Sequence, residues 1–242
     1  MVAAHHALVE GDAVNTQDIF IERHYTPSQI RNMIAYEQSL PSGPSLPWAI
    51  KDEFYFPYTT GLTFTQTLYH KGGMAAINKA LSNPPSSTYE VMFPSAYEKG
   101  WHPVQLPLHS VTGFPGWKQV DDDVFGAYGY DLLIQHDTNA AFARDIVQEY
   151  RGDRYVFLEH GSKNLLLMRS VWADSGSATS ARNALANSIR ARFPGKTSWT
   201  AAHTVLTDPS GAVFIRASGS NLTLAYAPNA SLARKLGTAK TS

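Results

Sequence analysis

The spacing of apolar and polar positions divides the chain into a helical part and a strand-rich part. From Val2 to Arg23 apolar residues recur at three- and four-residue intervals, which predicts a helix beginning with the first residues. No capping side chain precedes it, and this predicts a chain cut inside a domain. Thr26-Pro27 places an N-cap before a proline at the first helical position, so a second helix is expected from Pro27 to Leu40, ended by the segment Pro41 to Pro47. Helical spacing resumes from Trp48 to His70, with a kink or a fresh start expected at Pro57, because proline removes a backbone donor and crowds the preceding turn. Gly72-Gly73 ends this helix, and a short one is expected from Met74 to Leu81, before Pro84-Pro85. Ser86-Ser87-Thr88 caps a further turn. Phe93 to Trp117, with prolines at 94, 103, 107 and 115, reads as irregular. Asp121 to Gln135 and Asn139 to Tyr150 read as two helices, the first opened by three aspartates suited to the positive end of a helix dipole.

Beyond a turn at Arg151-Gly152-Asp153 the period shortens to two. Arg154 to Glu159 and Leu165 to Ala173, joined by His160 to Lys163, predict a hairpin. Ser177 or Thr179 caps a helix ending near Phe193, and Thr200 to Thr207, Ala212 to Ala217 and Leu222 to Ala227 read as strands separated by turns at Asp208 to Gly211 and Ser218 to Asn221. Helices first and an antiparallel sheet later predict an α+β fold. The pattern divides it into a helical region over residues 1–150 and a sheet with helix over 151–242, packed as one unit.

Composition narrows the function classes. Lys plus Arg and Asp plus Glu both total 20, so no net field draws the protein to nucleic acid or an anionic membrane. No apolar run reaches the roughly 18 residues that span a bilayer. Cysteine is absent, which removes disulfides, thiolate metal ligands and a cysteine nucleophile, and leaves the compartment open, an extracytoplasmic one included. No Gly-x-Ser-x-Gly elbow is present for a serine hydrolase. None of the nine histidines belongs to a His-Glu-x-x-His motif, the arrangement that aims two imidazoles at one zinc and sets a glutamate to activate water.

The segment His6-Ala-Leu-Val-Glu10-Gly-Asp-Ala13 nevertheless resembles the third-ligand helix of a family of predicted zinc-dependent peptidases of the glutamate-zincin type. The resemblance continues through Pro57-Tyr58-x-x-Gly61-x-x-Phe64, Leu68-Tyr69, Gly72-Gly73, Ala76-Ile77-Asn78 and Pro84-Pro85-x-Ser87-Thr88. It extends to Pro94-x-x-Tyr97, Phe125-Gly-x-Tyr-Gly129, Gly152-Asp-Arg-Tyr155 and Val171-Trp172, covering most of residues 6 to 172 in order. It implies the C-terminal portion of a zincin-like metallopeptidase that hydrolyses a peptide or protein substrate. In that family the helix follows a His-Glu-x-x-His helix, so zinc is implied for the complete protein, and no tight zinc binding is expected from this chain by itself. Glu10 is the implied third protein ligand. His6, one helical turn earlier on the same face, would orient that carboxylate. Tyr58 is the implied catalytic tyrosine that steadies the oxyanion of the tetrahedral intermediate. Three polar family positions are lost, with Tyr89-Glu90 in place of Glu-Gln, Phe93 in place of a histidine, and Ala127 in place of a glutamate.

The residues also admit plainer readings. Glu10 is a good helix former that commonly faces water, His6 and Glu10 could form an exposed pair, and Tyr58 could be a core tyrosine. Asp12, two residues on, is turned about 200° from Glu10 and is expected to bond neighbouring structure. Arg154 is expected to hold a carboxylate. If Glu10 belongs to a site, an open groove should run beside Val2 to Phe20. The competing function is a non-catalytic remnant of the same fold that binds a peptide or a partner.

Overall fold

The computed structural model describes residues 2–41, 43, 45–193, 195–200 and 202–241. Ser42 and Pro44, in the expected break, and Ala201, in the expected strand from Thr200, lie outside them. The fold is α+β, helices first and an antiparallel sheet after. Contacts separate two compact units, Met1–Trp101 and His102–Ser242. The change of contacts therefore falls earlier in the chain than the change of pattern at Arg151.

The first unit is built from α1 (Val2–His24), α2 (Pro27–Ser39), α3 (Trp48–Ser82), α4 (Thr88–Met92) and α5 (Pro94–Glu98). A single stripe of α1, Ala4, Ala7, Leu8, Gly11 and Asn15, is buried. It packs chiefly against α3. The helices cross where two glycines meet. A Cβ on Gly11 would lie 2.4 Å from the Gly61 carbonyl, and one on Gly61 would lie 2.3 Å from the Ala7 carbonyl oxygen. Only hydrogen side chains allow backbones this close. Pro57 does not interrupt α3, contrary to the expectation. Only Gly72 and Gly73 leave helical angles, with Gly73 at φ 61°. Pro57 lies in the open half of the helix, where Glu53, whose carbonyl loses its helical donor, is exposed to water.

Thr26 and Gln29 form the capping box of α2, but no residue of this helix is buried. The short α4 is anchored by Glu90, whose carboxylate accepts from the Ser86 and Ser87 amides at 2.7 and 3.0 Å and from the Ser86 hydroxyl at 2.6 Å.

The second unit holds β1 (Lys118–Asp123), α6 (Gly126–Gln135), α7 (Ala140–Val147), β2 (Tyr150–His160), β3 (Lys163–Trp172), α8 (Ser175–Arg192), β4 (Lys196–Trp199), β5 (His203–Asp208), β6 (Gly211–Ser218), β7 (Asn221–Ala227) and α9 (Ala230–Gly237). The strands form one antiparallel sheet in the order β1-β2-β3-β7-β6-β5-β4. Alternation sorts its faces. Val156, Leu158, Leu165, Leu167, Phe214 and Ala225 pack with Ala233 and Leu236 of α9. The intervening Met168, Ile215 and Leu224 are buried on the other side, where α8 packs across β6 and β7.

Asp174, not Ser177 or Thr179, caps α8, accepting from the Ser177 amide at 2.7 Å. Two further expectations fail here. The aspartates Asp121, Asp122 and Asp123 lie in the edge strand β1, not in a helix, and Arg151-Gly152-Asp153 lies within β2 beside a register shift, not in a turn. One residue links both outcomes. Buried Asp153 accepts from the Phe125 and Gly126 amides, each at 2.8 Å, and from the Tyr150 hydroxyl, so the start of α6 is capped from β2. Its burial pushes the carboxyl up, against the pull of those donors. The aspartates of β1 serve the neighbouring strand instead: Arg154 donates to Asp122 at 2.5 Å, as expected of an arginine holding a carboxylate, and the Tyr155 hydroxyl donates to Asp121 at 2.7 Å.

Candidate functional site

The glycine crossing of α1 and α3 fixes what lies at its margin. Glu10 immediately precedes Gly11, and Tyr58 stands one helical turn before Gly61. Glu10 lies near enough to Tyr58 to raise the phenol above its ordinary value, first by its negative charge, then by burial and by hydrogen bonding to the carboxylate. Glu10 is half-buried, and the Tyr58 ring is 37% exposed, enough to reach a ligand from solvent. The residues implied as metal ligand and as oxyanion tyrosine thus occupy one place, although they come from different helices.

His6 is exposed one turn before Glu10. Asp12 lies on the other side of the helix, half-buried, bonded to the Thr16 side chain, with burial raising its carboxyl against that bond. Its Oδ1 and the Asn15 Nδ2 are buried with no hydrogen-bond partner among the described residues. They make a polar seam away from the Glu10 margin.

Beside Glu10 the surface of α1 carries exposed His6 and Gln17, and beyond them an apolar stripe. Val2, Val9 and Phe20 of α1 are exposed, and with Ala13 they repeat at seven- and four-residue steps along one stripe. On α3, Phe54 and Tyr55 are exposed next to Tyr58, with Phe54 contacting the other two rings at centroid distances of 5.6 and 6.1 Å. Sequence reasoning passed over this aromatic group, which the run Phe54-Tyr55-Phe56-Pro57-Tyr58 signals. Among these, Phe56 alone turns into the core.

The remaining motifs of the resemblance hold the fold. Phe64 packs edge-on to Tyr97 at 5.4 Å, and the Tyr97 hydroxyl donates to the Asn83 carbonyl at 2.8 Å. Gly129 leaves room for the Phe125 ring, and Gly152 for the Val104 backbone. Ala127, where the family carries a glutamate, is fully buried.

Glu10 supplies one anionic oxygen. Among the described residues no three or more His, Asp or Glu side chains group so as to hold a metal ion, so the residues present do not make a zinc site by themselves. No helix among them is long and apolar enough to cross a membrane. Comparison of the chain with protein-family models, with curated proteins and with solved structures finds no match.

Proposed function

We propose that this chain contributes the third protein ligand and part of the substrate cleft of a zincin-like peptidase, with the two histidines and the water-activating glutamate of a His-Glu-x-x-His helix coming from outside these residues. The observation that carries the reading is the meeting of Glu10 and Tyr58 at the crossing made by Gly11 and Gly61. Glu10 would add one carboxylate to two histidines supplied from elsewhere, and a zinc held by the three would supply Lewis acidity toward a peptide carbonyl. Tyr58 can hold Glu10 in its ligating orientation and, being partly exposed, can turn its O–H toward an oxyanion. The aromatic surface of Phe54 and Tyr55 gives an apolar side chain of a peptide substrate a place to lie.

The test is expression of these residues with a supplied His-Glu-x-x-His helix, followed by zinc analysis and peptide hydrolysis. Glu10→Gln should lower zinc affinity, and Tyr58→Phe should lower kcat while zinc stays bound. Zinc affinity indifferent to Glu10 removes the reading.

A second reading, a non-catalytic peptide- or partner-binding form of the same fold, is favoured by the exposed stripe Val2, Val9 and Phe20 and by the buried Ala127. Hydrolysis that depends on Tyr58 separates the two.

A further inference from the structure

A row of basic side chains runs across the sheet of the second unit. Strand register pairs Arg154 with Arg169, Arg169 with Thr223, Thr223 with Arg216, and Arg216 with His203. Directly opposed residues share a face with Cβ atoms about 5 Å apart, and like charges opposed in this way are destabilising. Arg154 and Arg169 are such a pair and require compensation, while Arg216 stands between Thr223 and His203.

Arg154 is paired with Asp122 at 2.5 Å. His203 accepts at Nε2 from the Arg234 guanidinium at 2.6 Å, which requires that nitrogen to be unprotonated. Among the described residues Arg169 has neutral partners, the Thr241 hydroxyl at 2.6 Å and the Ala239 carbonyl at 2.8 Å. These occupy two of its five N–H groups. Arg216 is exposed. Arg169 and Arg216 stand two strand spacings apart, about 10 Å, on either side of Thr223.

An open cavity of about 320 Å³ lies over this point, lined by Arg169, Arg216, Ser218, Asn221, Thr223 and Thr238 along with Gly237. Among the described residues the lining contains hydroxyls, an amide and two guanidiniums, and no carboxylate. With acids and bases equal in number over the chain, this is a local arrangement and not a reflection of a basic composition. The cavity adjoins the C-terminal end of α9, whose free carbonyls would repel an anion. Three of the last four are already engaged, Arg234 by the Thr238 amide, Lys235 by the Thr238 hydroxyl and Leu236 by the Ala239 amide, and the Ala239 carbonyl just beyond accepts from Arg169.

We propose that this cavity binds the phosphoryl group of a small molecule, held by Arg169 and Arg216 and by the hydroxyl and amide donors around Thr223. Two fixed positive charges match a dianion, and the planar forks of two guanidiniums leave further phosphoryl oxygens for Thr223, Ser218 and Asn221. A single carboxylate is satisfied by one guanidinium and leaves the second unmatched. A chain with no net charge has no long-range field toward an anionic bilayer, which favours a small molecule over a lipid headgroup. The assignment is independent of Glu10 and of any metal.

Calorimetric titration of the full chain at low salt with inorganic phosphate tests it, with acetate as the comparison anion. One phosphate per chain is expected, with affinity at least tenfold above that for acetate. Arg216→Met should weaken binding at least tenfold without changing the unfolding midpoint, since the side chain is exposed, and Arg216→Lys should fall between. Absence of phosphate binding, binding indifferent to Arg216, or acetate binding as tight as phosphate overturns the proposal. Arg216-dependent sedimentation with vesicles containing phosphatidic acid, without binding of free phosphate, overturns the small-molecule assignment.

Discussion

At the scale of single residues, Gly11 and Gly61 decide what Glu10 can do. Alanine is ordinarily the better helix former by about 1 kcal/mol. Here its methyl group would overlap the facing backbone, so Gly11→Ala or Gly61→Ala should forfeit that gain and destabilise the chain by about 2 kcal/mol net. Urea unfolding checks this, and a variant as stable as the parent would show that the crossing is looser than described. Tyr58 reports on the same margin. The Glu10 charge opposes formation of a phenolate, so Glu10→Gln should bring the Tyr58 pKa back toward its ordinary value, read by phenol absorbance against the other tyrosines. An unmoved Tyr58 titration would separate the two side chains. The resemblance singled out Glu10, His6 and Tyr58, but it contained no reason for the first and last to meet. That reason is a long-range contact between two glycines, which sequence spacing registers only as missing side chains.

At the scale of elements, most helices and the β2–β3 hairpin were legible because each carries its own period and caps. The failures came where a distant partner overrides local preference. Asp121 to Asp123 suit a helix start, yet Arg154 and Tyr155 on β2 bond Asp122 and Asp121 and hold the segment as a strand, while the cap for α6 comes from Asp153. Asp153→Asn should cost about 1–3 kcal/mol, because one of the two backbone donors loses its charged acceptor. Within α6, Asp131 is 2% exposed, and burial pushes its carboxyl up to about 6, with Arg144 pulling the other way. A raised carboxyl binds its proton more tightly folded than unfolded. Its stabilising contribution is thus complete below the unfolded value of 3.8 and is lost as pH rises through about 6. The loss for a shift of this size is at most about 3 kcal/mol. Urea unfolding at pH 4.5 and 7 should therefore show a smaller pH dependence for Asp131→Asn than for the parent. Equal slopes would remove Asp131 as the source.

At the scale of the whole molecule, the second unit draws β1, α6 and α7 to the sheet, so a fragment of residues 102–242 should unfold cooperatively while one of residues 151–242 should not. The latter loses the edge strand of β2 and the helices that pack on α8 and β2. Near-ultraviolet circular dichroism and chemical denaturation distinguish them. The first unit keeps Glu10 and Tyr58 at its open margin. Zinc bound per chain, measured after dialysis with the His-Glu-x-x-His helix supplied, compares Glu10→Gln with Asp12→Asn, two losses of one negative charge on the same helix. Zinc should be lost with Glu10→Gln and retained with Asp12→Asn; equal retention in both removes Glu10 from the site.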